Sequence, residues 1–357
     1  MNNWNFDIDY LNQVVKKGNE LLKDEKLSHK KRKIIDKDIQ VFKQFIKGDF
    51  SLPDEEVPHY DGLSYTKLKN LFLKDAKEHY EFLGKHLIDY IIKVYYEHIF
   101  KIENTYYERP LPFDKQVYLT LKNYNTVSSK LYEYAKKIVF NNSFSQIQLV
   151  DDSDYSSFCH YSEIVKNPFI IVDSEENNNI FNHELQHAIE DVLDLKIPTV
   201  YLELGSIELE LLFNDTLFKE KNYLCSDDYG DRMEETDNIL EELHLYLTLL
   251  KRLAKYDFKI NNDGFIKVCS KSMRIYEEQV NEWLYDTLTN CNYDLYICYL
   301  MSYLKAIEIR ENQYKYQGDV LHLLNQYYKP KPVLQIPEDG IEIYKRYVKE
   351  MNEKTKR

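Results

Sequence analysis

The sequence predicts a mainly helical protein with a small β element just ahead of a helix that carries an HExxH pattern. Three observations predict this. Only nine glycines and nine prolines occur in 357 residues, and no proline falls between Pro198 and Pro330, so long helices meet few breakers. Apolar residues recur at helical spacing through most of the chain. Two short strand-like runs, Gln146–Val150 and residues 168–172, interrupt that pattern, and the second lies just before His183-Glu184-Leu185-Gln186-His187.

From the N-terminus, residues 1–140 read as all-helical. Segments 11–22, His29–Ile46 and 65–100 carry the helical period, with breaks near Ser51-Leu52-Pro53 and Tyr60-Asp61-Gly62. Pro110 and Pro112 mark residues 103–113 as the expected boundary between an N-terminal helical region, 1–105, and a second region, 106–357. The basic cluster His29-Lys30-Lys31-Arg32-Lys33 is followed at once by acidic residues and reads as a solvated helix face. One further helix, 115–140, is expected to lead into the strands. A helix over 180–193 and another over about 200–220, after Pro198, should follow. Beyond residue 220 come helices at 234–256, 265–288, Tyr293–Tyr316 and 341–354, with no internal repeat.

Composition excludes several function classes. A net charge of −13 disfavours nucleic acid or an anionic membrane surface as partner. No run approaches eighteen apolar residues, so no membrane span is expected, and residues 1–10 lack an apolar signal core. The five cysteines, Cys159, Cys225, Cys269, Cys291 and Cys298, form no CxxC and read as reduced thiols of a cytoplasmic protein. Nothing in the spacing of Cys159 and His160 places them near His183, so they read as structural or incidental.

The chemistry concentrates at residues 177–210. In a helix over 180–193, Phe181, Leu185, Ala188, Ile189 and Val192 make one apolar stripe, and the two histidines lie opposite it. Four residues are just over one turn, so His183 and His187 project side by side and can share one ion, while Glu184 can reach a water on that ion. This is the geometry of a catalytic zinc site with an open position; the competing reading is a solvated face that happens to carry two histidines. A third protein ligand is required, and no third histidine follows at short spacing. A carboxylate must serve, from Glu203, Glu208 or Glu210. Glu203 and Glu210 lie about 10 Å apart along a helix axis and cannot both bind one ion. Glu190 is suited to orienting a ligand.

These residues carry a family resemblance. Residues 170–210 resemble the core of the M3 metallopeptidases, the thimet oligopeptidase and oligoendopeptidase F group, in which a strand and loop precede a helix bearing HExGH. That family supplies its third ligand from an E-x-x-S-x-x-x-E segment, which here reads Glu203-Leu204-Gly205-Ser206-Ile207-Glu208-Leu209-Glu210. Ser157-Phe158-Cys159 and Asn167-Pro168-Phe169-Ile170 resemble the run into the active-site helix. The resemblance implies a zincin-like fold of the gluzincin type, with one zinc per chain on His183, His187 and Glu203. It further implies Glu184 as general base, Glu210 in support, and an edge strand before the helix on which an extended peptide pairs. The sequence departs from the family at Gln186, where glycine is usual, and at Glu190, where a further histidine is common.

Of Tyr293, Tyr296, Tyr299 and Tyr303, the last three fall on one stripe of a helix, which by itself reads as packing in a chain with 32 tyrosines. The stretch from Tyr293 to Ser302 also resembles the tyrosine-rich helix with which M3 enzymes close the cleft. The match assigns Tyr299, with Tyr296 next, as donors to the oxyanion. A histidine usual before these tyrosines is missing, since none occurs between His244 and His322. The expectation is a zinc metallopeptidase acting on short peptides. A zinc-holding but silent peptide binder, or a protease dedicated to one precursor peptide, are the alternatives.

Overall fold

Residues 168–173, apolar almost throughout, form the middle of a three-stranded sheet in the protein's computed structural model. The structure describes residues 4–51, 60, 62–96, 111–151, 156–173, 179–195, 197, 201–219, 227–290, 293–316 and 349. Among these the chain runs through α1 (Ile8–Leu21), α2 (His29–Ile46), α3 (Tyr65–Tyr96), α4 (Phe113–Val127), α5 (Ser129–Phe140), β1 (Gln146–Val150), β2 (Phe158–Tyr161) and β3 (Pro168–Asp173). It continues with α6 (Ile180–Val192), α7 (Leu204–Lys219), α8 (Asp227–Ala254), α9 (Asn262–Met273), a 3-10 turn at Glu277–Gln279, α10 (Val280–Asn290) and α11 (Tyr293–Tyr316). The mainly helical class with a small sheet is therefore the observed one.

The sheet order is β1-β3-β2, with β1 parallel and β2 antiparallel to β3. Every residue of β3 is buried, as a strand covered on both faces requires. Phe169 and Ile171 face α1 and α2, where they join Phe6, Phe42 and Phe45 in one core. Ile170 and Val172 face the other way and join Phe181, Leu185 and Ile189 of α6 in the larger core. The alternation follows from the two-residue period of a strand. Placing β3 at the sheet edge is thus corrected: the strand before the HExxH helix is central, and β2 is the edge. On the other side, Leu149 of β1 donates its N–H to the Trp4 carbonyl at 2.9 Å, so the N-terminal segment covers part of that edge.

Two expected helices are each broken in two. The 115–140 segment divides at Ser128, whose extended backbone (φ −162°, ψ 118°) ends α4, and whose side chain caps α5 by accepting from the Leu131 N–H. The 265–288 segment divides at Arg274, which takes a left-handed conformation (φ 57°) as the C-cap of α9. Neither break carries a glycine or proline, so periodicity alone ran across both. In α3 the turn is irregular at Gly84, where φ is 70°, a value glycine adopts without a Cβ clash. The helix expected at 341–354 lies outside the described residues apart from residue 349, as does most of the 103–113 boundary.

α6 is enclosed by α4, α5, α7, β2 and β3. Phe181 through Gln186, and Ala188 through Glu190, are all buried. The helix carrying the two histidines is therefore an interior helix, and the reading of His183 on a solvated face fails, since that residue is only 5% exposed. Among the described residues, no helix is long and apolar enough to cross a membrane.

Candidate metal centre

His183 and His187 lie one turn apart on α6, with ring centroids 4.7 Å apart and planes inclined at 74°. Glu203 sits in the turn before α7, and its carbonyl accepts the Ile207 N–H at 3.0 Å in the first bond of that helix. The backbone of Leu202 and Glu203 lies beside the Cys298 thiol of α11 and favours its charged form, while burial pushes the thiol pKa up. Helical packing of α7 on α6 and α11 carries the Glu203 carboxylate to both imidazoles. The expected start of this helix at about residue 200 moves to Leu204, so Glu203 is presented from a turn.

The donor atoms converge. His183 Nε2 and His187 Nε2 are 3.0 Å apart, and Glu203 Oε2 lies 3.2 Å from each. Ligand atoms about 2.0–2.1 Å from a tetrahedral zinc are separated by roughly 3.3 Å, so this near-equilateral triangle matches one face of such a polyhedron. Glu203 Oε2 is buried and makes no well-directed hydrogen bond to either ring, although both are close. An orphaned buried oxygen facing two imidazole nitrogens fits a cation at their common focus. His183, His187 and Glu203 are thus a group able to hold a metal ion.

The far side of each ring is also occupied by a carboxylate. Glu210 Oε1 hydrogen-bonds Nδ1 of His183, and Glu190 Oε2 lies 3.7 Å from Nδ1 of His187. A proton held on each Nδ1 leaves the Nε2 lone pairs free for the cation. The axial separation of Glu203 and Glu210 suits this division, one acid reaching each edge of the His183 ring. Ser206 Oγ, one turn beyond Glu203, is 3.1 Å from His187 Nε2 and is a further polar neighbour that spacing did not single out.

Electrostatics favour positive charge here. Burial alone would lower the His183 pKa, yet Glu210 and Glu203 outweigh it and hold the group up at about 9. His187 is likewise raised well above its usual value, burial notwithstanding, by Glu190, Glu203 and Glu184. Burial would raise the Glu203 carboxyl, but the two imidazoles keep it far below the usual carboxylate range. Without a cation, the cluster gathers protons.

A cleft of about 450 Å³ opens on this centre, lined by His187, Glu203, Cys159, Tyr161, Asp191 and Asp194 among others. Cys159 and Tyr161 belong to the edge strand β2, so the reading of Cys159 as remote from His183 is corrected. His160, which points to the opposite face, does have a structural role: its Nε2 lies 2.6 Å from the buried Asp38. Glu184 is buried at 6% exposure and lies within electrostatic reach of both His187 and Cys159. Burial holds the Asp191 carboxyl up at about 6. Tyr293 is buried and stacks on Tyr246 at 3.7 Å, and Tyr303 is buried as well. Tyr296 and Tyr299 are half-buried against the main core and are not among the cleft-lining residues.

The sequence matches no protein-family model and no protein of curated function. Among solved structures, the chain is similar to a candidate oligoendopeptidase F at 12% identity and a TM-score of 0.41, covering 97% of this chain and 66% of that one. It is also similar to a candidate oligoendopeptidase F from Bacillus anthracis at 13% identity and a TM-score of 0.38, covering 96% of this chain and 62% of that one. The chain thus spans less than two thirds of the length of either.

Proposed function

We propose that the protein is a zinc-dependent metallopeptidase of compact zincin-like build that hydrolyses short, unstructured peptides. The observation that carries this reading is the convergence of His183 Nε2 and His187 Nε2 of α6 with Glu203 Oε2 from the turn before α7, with Glu184 beside them. A zinc ion held by these three residues supplies Lewis acidity toward a carbonyl and makes water a stronger acid.

The chain's own groups account for the rest. Cys159 and Tyr161 stand at non-hydrogen-bonded positions opposite Ile170 and Pro168, so their main-chain N–H and C=O groups point away from β3, on the outer side of what is an edge strand among the described residues. An extended peptide added there gains main-chain hydrogen bonds without a sequence requirement. Glu184 takes a proton from the attacking water and delivers it to the leaving amine as the C–N bond breaks. Tyr299, with Tyr296 next, donates a hydrogen bond to the carbonyl oxygen as negative charge develops on it. Glu163, Glu190, Asp191 and Asp194 make the cleft acidic, which favours peptides with cationic side chains near the cut. The reading supports a peptide partner and neither nucleic acid nor a membrane.

The position of Tyr296 and Tyr299 outside the cleft lining favours a second reading, a zinc-holding protein that grips peptide without cutting it. Incubating the zinc-loaded protein with a mixed peptide library, followed by mass spectrometry, separates the two. New termini that disappear after chelation and return with zinc support the peptidase. Peptide retention without any cleavage supports the binder. A chain that takes up no metal defeats both.

A further inference from the structure

A line of buried polar side chains runs from α4 to the metal centre. Tyr124, fully buried on α4, lies 3.1 Å by its hydroxyl from Gln186 Oε1. The Gln186 Nε2 lies 2.9 Å from Glu190 Oε1, one turn further along α6. The other carboxylate oxygen, Glu190 Oε2, is 3.7 Å from His187 Nδ1. Chemistry sets the direction of each bond. An ionised carboxylate only accepts, so Gln186 must present its NH2 to Glu190; its carbonyl oxygen is then left for Tyr124, whose hydroxyl must donate.

We infer that Gln186 is a positioning residue: held in one amide orientation by Tyr124, it fixes Glu190 on the Nδ1 side of His187, and so fixes the plane of that ring at the metal. The inference rests on the metal-centre reading above and deepens it. Tyr124 is 0% exposed, Gln186 1% and Glu190 5%, so three polar groups are withdrawn from water where apolar side chains of similar size would fill the space at lower cost. His187 needs such support more than its neighbour does. The Glu210 carboxylate hydrogen-bonds the His183 ring directly, whereas Glu190 Oε2 lies 3.7 Å from His187 Nδ1 while the Gln186 amide holds its other oxygen at 2.9 Å. The bland alternative is that the line only staples α4 to α6, and it predicts a loss of stability with no change at the metal.

The test uses the full chain with zinc and cobalt(II) as the probes. Gln186→Met keeps the side-chain length and removes both hydrogen bonds. Zinc affinity, read by competition with a chromophoric chelator, should fall by about 10- to 100-fold, and the visible spectrum of the cobalt-loaded protein should shift. Tyr124→Phe, which removes one hydroxyl and keeps the packing, should lower affinity several-fold in the same direction and serves if Gln186→Met does not fold. Adding Glu190→Gln to Gln186→Met should cost little beyond the larger single effect, because the residues act in series. Wild-type affinity and an unshifted cobalt spectrum in either folded variant overturn the inference while leaving the metal centre standing. A wild-type chain that binds neither ion overturns the metal-centre reading and this inference with it.

Discussion

His183 Nε2 and His187 Nε2 face each other at 3.0 Å, with one Glu203 oxygen equidistant from both. Two lone pairs at that separation repel unless positive charge lies between them, and Glu184, Glu190 and Glu210 add three further carboxylates within reach of the rings. One bound zinc per chain is the expected outcome for protein loaded and then dialysed. Glu203→Ala or His183→Ala should each reduce affinity by more than the roughly 100-fold that loss of an outer partner produces. Elemental analysis with chelator competition checks this, and undiminished binding in Glu203→Ala would remove that residue from the ligand set.

Glu184 separates binding from chemistry. Glu184→Gln is nearly isosteric and should keep zinc, while peptide turnover falls by about 10²- to 10⁴-fold, as expected on losing a general base. A variant that turns over peptide at the wild-type rate would exclude Glu184 from proton transfer.

Protons compete with the metal for the same nitrogens. In the metal-free chain His183 is raised from 6.5 to about 9, so its protonation stabilises that fold fully below about pH 6.5, and the contribution is lost as pH rises through about 9. Metal uptake runs the opposite way, because each proton displaced is easier to remove at higher pH. Zinc affinity should therefore tighten by at least about tenfold per pH unit between pH 6.5 and 8, with measurable proton release. A flat profile would show that metal uptake displaces no protons from the imidazoles.

The tyrosines are decided by a comparison of rate and stability. Tyr299→Phe should lower kcat by about 10²-fold, the scale of losing one oxyanion donor, with only a small change in melting temperature; Tyr296→Phe should have the smaller effect. Equal kcat in both variants would leave these side chains with a packing role alone.

Cleft charge makes a specificity prediction. Asp194 lies in the left-handed region, at φ 49°, which asparagine also tolerates, so Asp194→Asn removes charge without backbone strain. KM for peptides carrying Lys or Arg near the cut should rise several-fold, less at high salt, and KM for neutral peptides should stay put. Identical responses for both peptide sets would show that the acidic lining does not select.

Helical period, the HExxH spacing and the carboxylates of 203–210 were legible in the sequence because each depends on residues within a few turns of one another. The helix His29–Ile46 has the bounds its sequence predicts, and the two histidines are adjacent on α6 because four residues make just over a turn. The helix breaks at Ser128 and Arg274 were not legible, since neither residue type forbids a helix and no glycine or proline marks either turn. Nor was the sheet order: which strand is central depends on partners, and the four residues of β2 carry too little pattern to declare themselves.

At the site the division is the same. By itself the sequence determined that two imidazoles share a helix face and that a carboxylate follows, because local geometry fixes the first and composition supplies the second. Spacing left Glu203, Glu208 and Glu210 open and the resemblance pointed to Glu203 with Glu210 in support; only the tertiary structure decided that Glu203 Oε2 reaches both Nε2 atoms, that Glu190 and Glu210 lie on the Nδ1 sides of the two rings, and that Cys159 and Tyr161 border the cleft. Those relations join segments brought together by helix and strand packing, and no local period encodes the distance between side chains on different elements.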